Sequence, residues 1–396
     1  MKYLILFTAL ALAANIYSQD KKTMEEVQQI VKEVKTKFAP DRRTALFNIT
    51  PKAIKGSVYI EGETNIPEAK TELFRKLAEK KVKCDDMVIV LPAKELGEKI
   101  YGVITVSAAN LRTEPRHAAE MATQCLLGWP VKVLKKHREG WYLVQTPENY
   151  IAWVDDDAVA LKTKSELDEY FIAKKVIYLD NFGFTNKTAD VNSQVVSDLT
   201  KGNVLKVLQV KDNFTEVEYP DKRRAYVENS KIKNLDDWFA ACNPTEESLV
   251  ATAKTMMGIP YFWGGTSVKG LDCSGFTKTV YYLNGIYLPR DASQQVNVGE
   301  LVDTKNGFGS LKPGDLLFFG ARGNDSVNER VTHVGMYIGD YEFIHEGGKV
   351  MINSLDNTKE NFSAYRFNSF IRAKRILGSI NKNVIEKITS NKFYEK

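Results

Sequence analysis

The sequence predicts a mixed α+β protein: a domain of helices and antiparallel strands in the C-terminal third, two small all-β barrels before it, and a helical N-terminal segment. Three observations carry that expectation. Residues 261–285, YFWGGTSVKGLDCSGFTKTVYYLNG, pass from a Gly-rich loop into a stretch whose Phe276, Val280, Tyr281 and Leu283 suit a helix with one buried face. Residues 331–346 hold two runs of apolar and β-branched residues, divided by Gly339-Asp340, that read as neighbouring strands. Residues 120–154 resemble residues 193–227 at an offset of about seventy-four, with turn residues every ten or so positions, as two copies of a small barrel would require.

From the start of the chain, Lys2 and the apolar run Tyr3 to Ala14 read as a secretory signal peptide, residues 1–18, because the run is too short to span a bilayer. No later run is long enough for a membrane span, so an exported protein, periplasmic or secreted, is expected. At 396 residues the chain holds several domains, and 43% hydrophobic with 27% charged residues is ordinary globular composition, which argues against long disorder. A net charge of +5 is small for this length and no groove-reading motif is present, so nucleic acid is not an expected partner. Residues 19–98 read as helical, with Met24, Val27, Ile30, Val31 and Val34 on one face and a second helix over 67–81, followed by a short strand at Met87–Leu91. The segment carries no chemical motif; it is a structural brace or, alternatively, a wall-targeting piece. The barrels are expected at 99–165 and 166–236. The catalytic domain, entered through a linker containing Pro244, spans 245–378, and a basic tail, a frayed helix or disordered, covers 379–396.

The chemistry centres on Cys273. Asp272 is a good N-cap for the helix beginning there, and the positive end of the helix dipole would lower the thiol pKa from its free value of roughly 8.5. The chain has only four histidines, and two of them, His333 and His345, fall in the strand pair downstream. A lone histidine on a strand is usually a satisfied core or surface residue. Two on adjacent strands can instead supply a base for the thiol and a group that orients the base. A zinc site is the rival use of these residues, but one cysteine and two histidines make no standard finger or ribbon. No metal and no cofactor are expected. Cys84, Cys125 and Cys242 are expected to be free thiols packed as small hydrophobes.

The segments YFWGG, LDCSGF, LPRDASQQ, LKPGDLLFF, THVGMYIG and FIHEGG, in this order, resemble the NlpC-type bacterial cell-wall cysteine peptidases over roughly Thr245 to Leu377. The resemblance implies a papain-like catalytic fold. It also implies γ-D-glutamyl-L-diamino-acid hydrolysis in peptidoglycan stem peptides, of the dipeptidyl-peptidase VI type. The two repeats resemble bacterial SH3-like domains, the first through Asn110-Leu111-Arg112 and Tyr150 to Val154.

That resemblance assigns roles. Cys273 is the nucleophile, His333 the base and acid, and His345 its orienting partner; Tyr261, with the Cys273 amide, holds the oxyanion. Asp272 and Ser274 match positions at the substrate's amino end and D-glutamyl carboxylate. Tyr150 and Glu120 match residues of the first barrel that close the cleft and meet a free amino terminus, and Trp263 lies in the loop before the nucleophile. Arg290 either braces the cleft with Asp291 or binds a substrate carboxylate. The expected partners are peptidoglycan-derived peptides, met by a monomer, in muropeptide recycling rather than wall splitting. The alternatives are a non-catalytic muropeptide-binding protein, an endopeptidase acting on intact peptidoglycan, and an acyltransferase or amidase with another acyl donor.

Overall fold

The computed structural model describes residues 22–54, 57–323, 328–382 and 384–391. The expected signal peptide lies outside the described residues. Among them, no helix is long and apolar enough to cross a membrane.

The N-terminal unit is α+β rather than helical. A helix over residues 22–38 buries Val27, Ile30, Val31 and Val34, and the helix Pro67–Glu79 buries Ala69, Leu73 and Leu77. Both close on one core with a three-stranded sheet. In it, Phe47–Ile54 pairs antiparallel with Ser57–Thr64, and Ser57–Thr64 pairs parallel with Cys84–Val90, the helix Pro67–Glu79 making the crossover. The first strand escapes the sequence reading for a physical reason. Phe47–Ile54 carries Pro51 and an exposed outer half, which an edge strand tolerates and a strand pattern does not announce.

The second unit begins with two seven-stranded sheets of one design. In the first, the spatial order is Val159–Lys162, Tyr101–Ile104, Pro130–His137, Trp141–Gln145, Ile151–Asp155, Ala108–Arg112, Met121–Leu126. In the second it is Ile232–Asn234, Lys175–Tyr178, Val204–Lys211, Phe214–Glu218, Arg224–Glu228, Phe182–Asn186, Val195–Thr200. Tyr101 to Lys175 and Pro130 to Val204 are both separations of 74, so the weak sequence repeat is a repeat of strand order. A hydroxyl ties both sheets to the catalytic region: Tyr282 accepts from the Trp129 indole at 2.8 Å and donates to the Gly202 carbonyl at 3.1 Å. The second sheet is therefore held against the catalytic region.

The catalytic region is a six-stranded antiparallel sheet, ordered Glu300–Val302, Phe370–Arg375, Leu316–Ala321, Arg330–Gly339, Glu342–Glu346, Val350–Ser354. The helix Cys273–Tyr282 packs on it with all ten residues buried, its Phe276 and Val280 sharing a core with Val334, Met336 and Ile344. The tail expected to be frayed or disordered is built in as far as Asn391. Glu386–Lys387 pairs with Ile286–Tyr287, Ile385 and Ile388 are buried, and the Asn391 amide donates to the Pro147 carbonyl at 3.0 Å. Its alternation of basic and apolar residues conceals two isolated anchors rather than a helical face.

Candidate active site

Asp272 organises the start of the helix that bears Cys273. Its Oδ1 accepts from the Gly275 amide at 2.7 Å, which is the N-cap bond, and its Oδ2 accepts from the Gly264 amide at 2.9 Å. The Gly-rich loop can lie this close only because two positions lack a side chain. A Cβ on Gly275 would collide with the Gly265 carbonyl, and one on Gly264, at φ 79°, with the Met121 carbonyl of the first barrel.

Arg290, 1% exposed, forks onto Asp272 with bonds of 2.6 and 3.1 Å, and gives two further donors to Ser274 at 3.0 Å and Thr123 of the first barrel at 3.0 Å. It braces the start of the helix through Asp272 rather than through Asp291, which is 4.0 Å away, and four of its five donors are engaged within the protein. Asp272 is similarly occupied. Three donors sit on Oδ1 (Gly275, Ser274 at 3.2 Å and Arg290) and two on Oδ2 (Gly264 and Arg290). Little of this carboxylate remains for a ligand's ammonium.

The strands place the histidines side by side. His333 Nε2 and His345 Nδ1 are 2.8 Å apart, and His345 Nε2 is 2.8 Å from Asn353 Oδ1. Asn353 was not identified from sequence, and it determines the proton positions. Its Nδ2 donates to the Asn361 carbonyl at 3.1 Å, so its Oδ1 must be the atom facing His345. His345 then carries its proton on Nε2 and accepts on Nδ1, and His333 carries its proton on Nε2. The ring nitrogen of His333 left as a base is Nδ1.

Burial, the nearby Arg366 charge and His345 hold His333 well below the ordinary imidazole pKa. Burial brings His345 down to about 4, against the opposing effect of its Asn353 bond. Both rings are neutral near pH 7. The thiol differs from the sequence expectation: burial, then the charge of Asp272, push Cys273 up to about 11, against the backbone amides of Val334 and Ser274 and the charge of Arg290. The helix end is outweighed because Cys273 is only 8% exposed and sits next to a carboxylate. The resting pair is thus neutral thiol and neutral imidazole. Tyr261, half-exposed beside Cys273, is also pushed up, mainly by burial and then by the thiol's charge, so it keeps its proton and can donate it to an oxyanion. Glu346 is buried and raised to about 7 by that burial.

The first barrel reaches the same cleft. The exposed indole of Trp263 donates to Glu120 at 2.8 Å, and the Tyr150 hydroxyl donates to Asp291 at 3.1 Å. Gln124 holds the strand Thr266–Ser267 through three bonds of 3.0 Å, two to its side-chain oxygen and one to its carbonyl. Glu120 is therefore brought to Trp263 of the loop before Cys273 and Tyr150 to Asp291, and Gln124 is the positioning residue that sequence reasoning missed. Glutamine in a strand gives no signal of its own.

Residues 258–371 match the NlpC/P60 family, and residues 111–159 match the bacterial dipeptidyl-peptidase SH3 domain. A γ-D-glutamyl-L-lysine dipeptidyl-peptidase of Bacillus cereus is 32% identical over 245 residues, which cover 58% of this chain and 68% of that protein. Dipeptidyl-peptidase 6 of Lysinibacillus sphaericus is 26% identical over 271 residues, covering 64% of this chain and 91% of that protein. A crystal structure of an NlpC/P60 family protein from Bacillus cereus superposes over 70% of this chain and 99% of its own, at 26% identity and a TM-score of 0.59. The match extends through barrel and catalytic region alike, and the chain belongs to the NlpC/P60 family.

Proposed function

We propose that this protein is an exported, monomeric cysteine peptidase that hydrolyses the γ-D-glutamyl to diamino-acid bond of peptidoglycan-derived peptides, releasing L-Ala-γ-D-Glu from peptides with a free amino terminus. The observation that carries the reading is the fixed proton order from Asn353 through His345 to His333, which leaves Nδ1 of His333 as a base beside the helix that presents Cys273. Relatives named dipeptidyl-peptidases support the substrate class.

In this mechanism the Cys273 sulfur attacks the γ-carbonyl as its proton passes to His333. The carbonyl oxygen becomes an oxyanion held by the Tyr261 hydroxyl and the Cys273 amide. His333 then returns the proton to the departing amine, leaving a thioester on Cys273, which water hydrolyses with His333 again as base. Because the thiol is raised to about 11, proton transfer accompanies attack instead of preceding it. The ammonium of L-Ala is met by Glu120 and Tyr150. Asp272, already saturated, serves as the brace. Intact wall, whose L-Ala is acylated, brings no ammonium and a bulky sugar to this end of the cleft, which favours muropeptide recycling.

Mass spectrometry of products from L-Ala-γ-D-Glu-meso-diaminopimelate tests the proposal. Release of the dipeptide by wild type and not by Cys273→Ala is the expected result. Binding without cleavage by wild type would replace the enzyme with a muropeptide-binding protein.

A further inference from the structure

Arg366 is a cation at the catalytic histidines that nothing in the mechanism uses. It lies on the short helix Ala364–Ser369, half-buried, with its guanidinium 5.7 Å from the centre of the Phe319 ring. Phe319 is the cross-strand partner of His333, their ring centres 5.8 Å apart, so the charge sits one aromatic ring from the catalytic base. Its field reaches further: it contributes to the depression of both imidazoles, and it is itself affected first by burial, then by Tyr365, Cys273 and Tyr261. Among the described residues no carboxylate pairs with the guanidinium. The other arginine at the site shows the contrast, since Arg290 is locked by Asp272. A guanidinium that is partly desolvated and stacked on an aromatic ring but has no anion is set to receive one.

The location also tells which part of a substrate would bring that anion. The first barrel, through Glu120, Tyr150 and the Trp263 contact, occupies the side of Cys273 where the amino end of the peptide lies. His333 must touch the departing nitrogen to protonate it. A group beyond His333, over Phe319, therefore faces the leaving amino acid. Building on the peptidase reading, we propose that Arg366 is a specificity-determining residue that binds a carboxylate carried by the leaving residue, and so favours peptides that end at the third position or carry diaminopimelate there. Both substrate types present the same chemistry, a carboxylate within reach of the departing nitrogen. They differ in whether it is the α-carboxylate or the one at the far end of the side chain.

The test compares four peptides: L-Ala-γ-D-Glu-L-Lys as the free acid, the same peptide amidated at its C-terminus, the meso-diaminopimelate peptide with only the α-carboxyl amidated, and the lysine acid with D-isoglutamine at position two. Wild type is expected to cleave the lysine acid about tenfold more efficiently than its amide, as a single charge-assisted contact supplies, with the difference in KM. Cleavage of the amidated diaminopimelate peptide at the acid's efficiency identifies the side-chain carboxylate as a second ligand, and cleavage at the amide's level assigns the α-carboxylate alone. In Arg366→Gln the acid-to-amide ratio falls to about one, and Arg366→Lys keeps part of it. The ratio is taken within one enzyme and does not depend on how much of a variant folds. An unchanged ratio in Arg366→Gln, or a loss that follows the D-isoglutamine peptide instead, overturns the assignment while leaving the peptidase standing. Failure of wild type to cleave any of the four overturns both.

Discussion

Asn353 stands behind His345 as His345 stands behind His333, and its side-chain oxygen 2.8 Å from Nε2 fixes where every proton in the row resides. The roles separate on substitution. Asn353→Ala removes the acceptor and lets His345 turn to its other tautomer, in which Nδ1 donates and can no longer receive the His333 proton. Turnover should fall on the order of tenfold, less than the roughly 10²–10⁴ that the base itself contributes. Asn353→Asp keeps an acceptor at the same place and should retain most of the activity. Equal losses in the two variants would mean that Asn353 matters for packing and not for proton position.

The placing of Cys273 at a helix start and of His333 and His345 on neighbouring strands was legible in the sequence because each lies in a short, chemically distinctive segment. Asn353, Gln124 and Arg366 were not, since their importance arises from partners that only the fold brings near. The thiol pKa was misjudged for a related reason. A helix start can be read from Asp272 and the apolar spacing, whereas the near-complete burial that outweighs it cannot. The repeated strand order shows through as a weak repeat because turn spacing and inward residues recur, and the N-terminal sheet stays hidden because its first strand is an edge strand interrupted by proline.

The pH dependence follows from two buried groups. Neutral His333 is the active form and folding holds its pKa well below about 6.5, so the acid limb of kcat/KM should fall below pH 6.5. With the thiol near 11, no alkaline loss from thiolate formation is expected below about pH 10. Stability changes on the acid side as well. His345 titrates near 4 when folded and about 6.5 when unfolded, so the unfolded chain binds the extra proton between these values. Its contribution is complete above pH 6.5 and declines as the pH falls toward 4, on the order of 3 kcal/mol in all. Urea midpoints at pH 7 and pH 4.5 should therefore differ more in wild type than in His345→Gln. An acid limb centred at or above 6.5 would contradict the buried, neutral histidine.

Lys278 and Glu148 form an ion pair of 2.8 Å with both side chains 2% exposed, the ammonium lying 4.7 Å over the Trp129 ring. The Glu148 oxygens take no hydrogen bond, so the lysine is what compensates their burial. Lys278→Met leaves a buried carboxylate uncompensated and should cost about 3–5 kcal/mol in chemical denaturation. Adding Glu148→Gln should recover most of that loss, because the pair itself repays little beyond its own desolvation. A double variant as unstable as Lys278→Met alone would place the cost in lost packing under the first barrel.

In the proposed function the first barrel limits the length of peptide accepted before the scissile bond. Glu120 is held by the Trp263 indole and Tyr150 by Asp291, so both side chains are ordered without any substrate. A free L-Ala ammonium gains charge-assisted bonds there, whereas an acetylated one leaves Glu120 without a cation and adds bulk. Wild type should cleave L-Ala-γ-D-Glu-diaminopimelate at least about a hundredfold more efficiently than its N-acetyl form, the discrimination a site gains by pairing its own polar groups. Glu120→Gln keeps the bond to Trp263 but removes the charge, and should weaken the free peptide more than the acetylated one, narrowing the ratio. Comparable cleavage of the two peptides by wild type would remove the dipeptidyl limit and leave an endopeptidase open to longer, blocked stems.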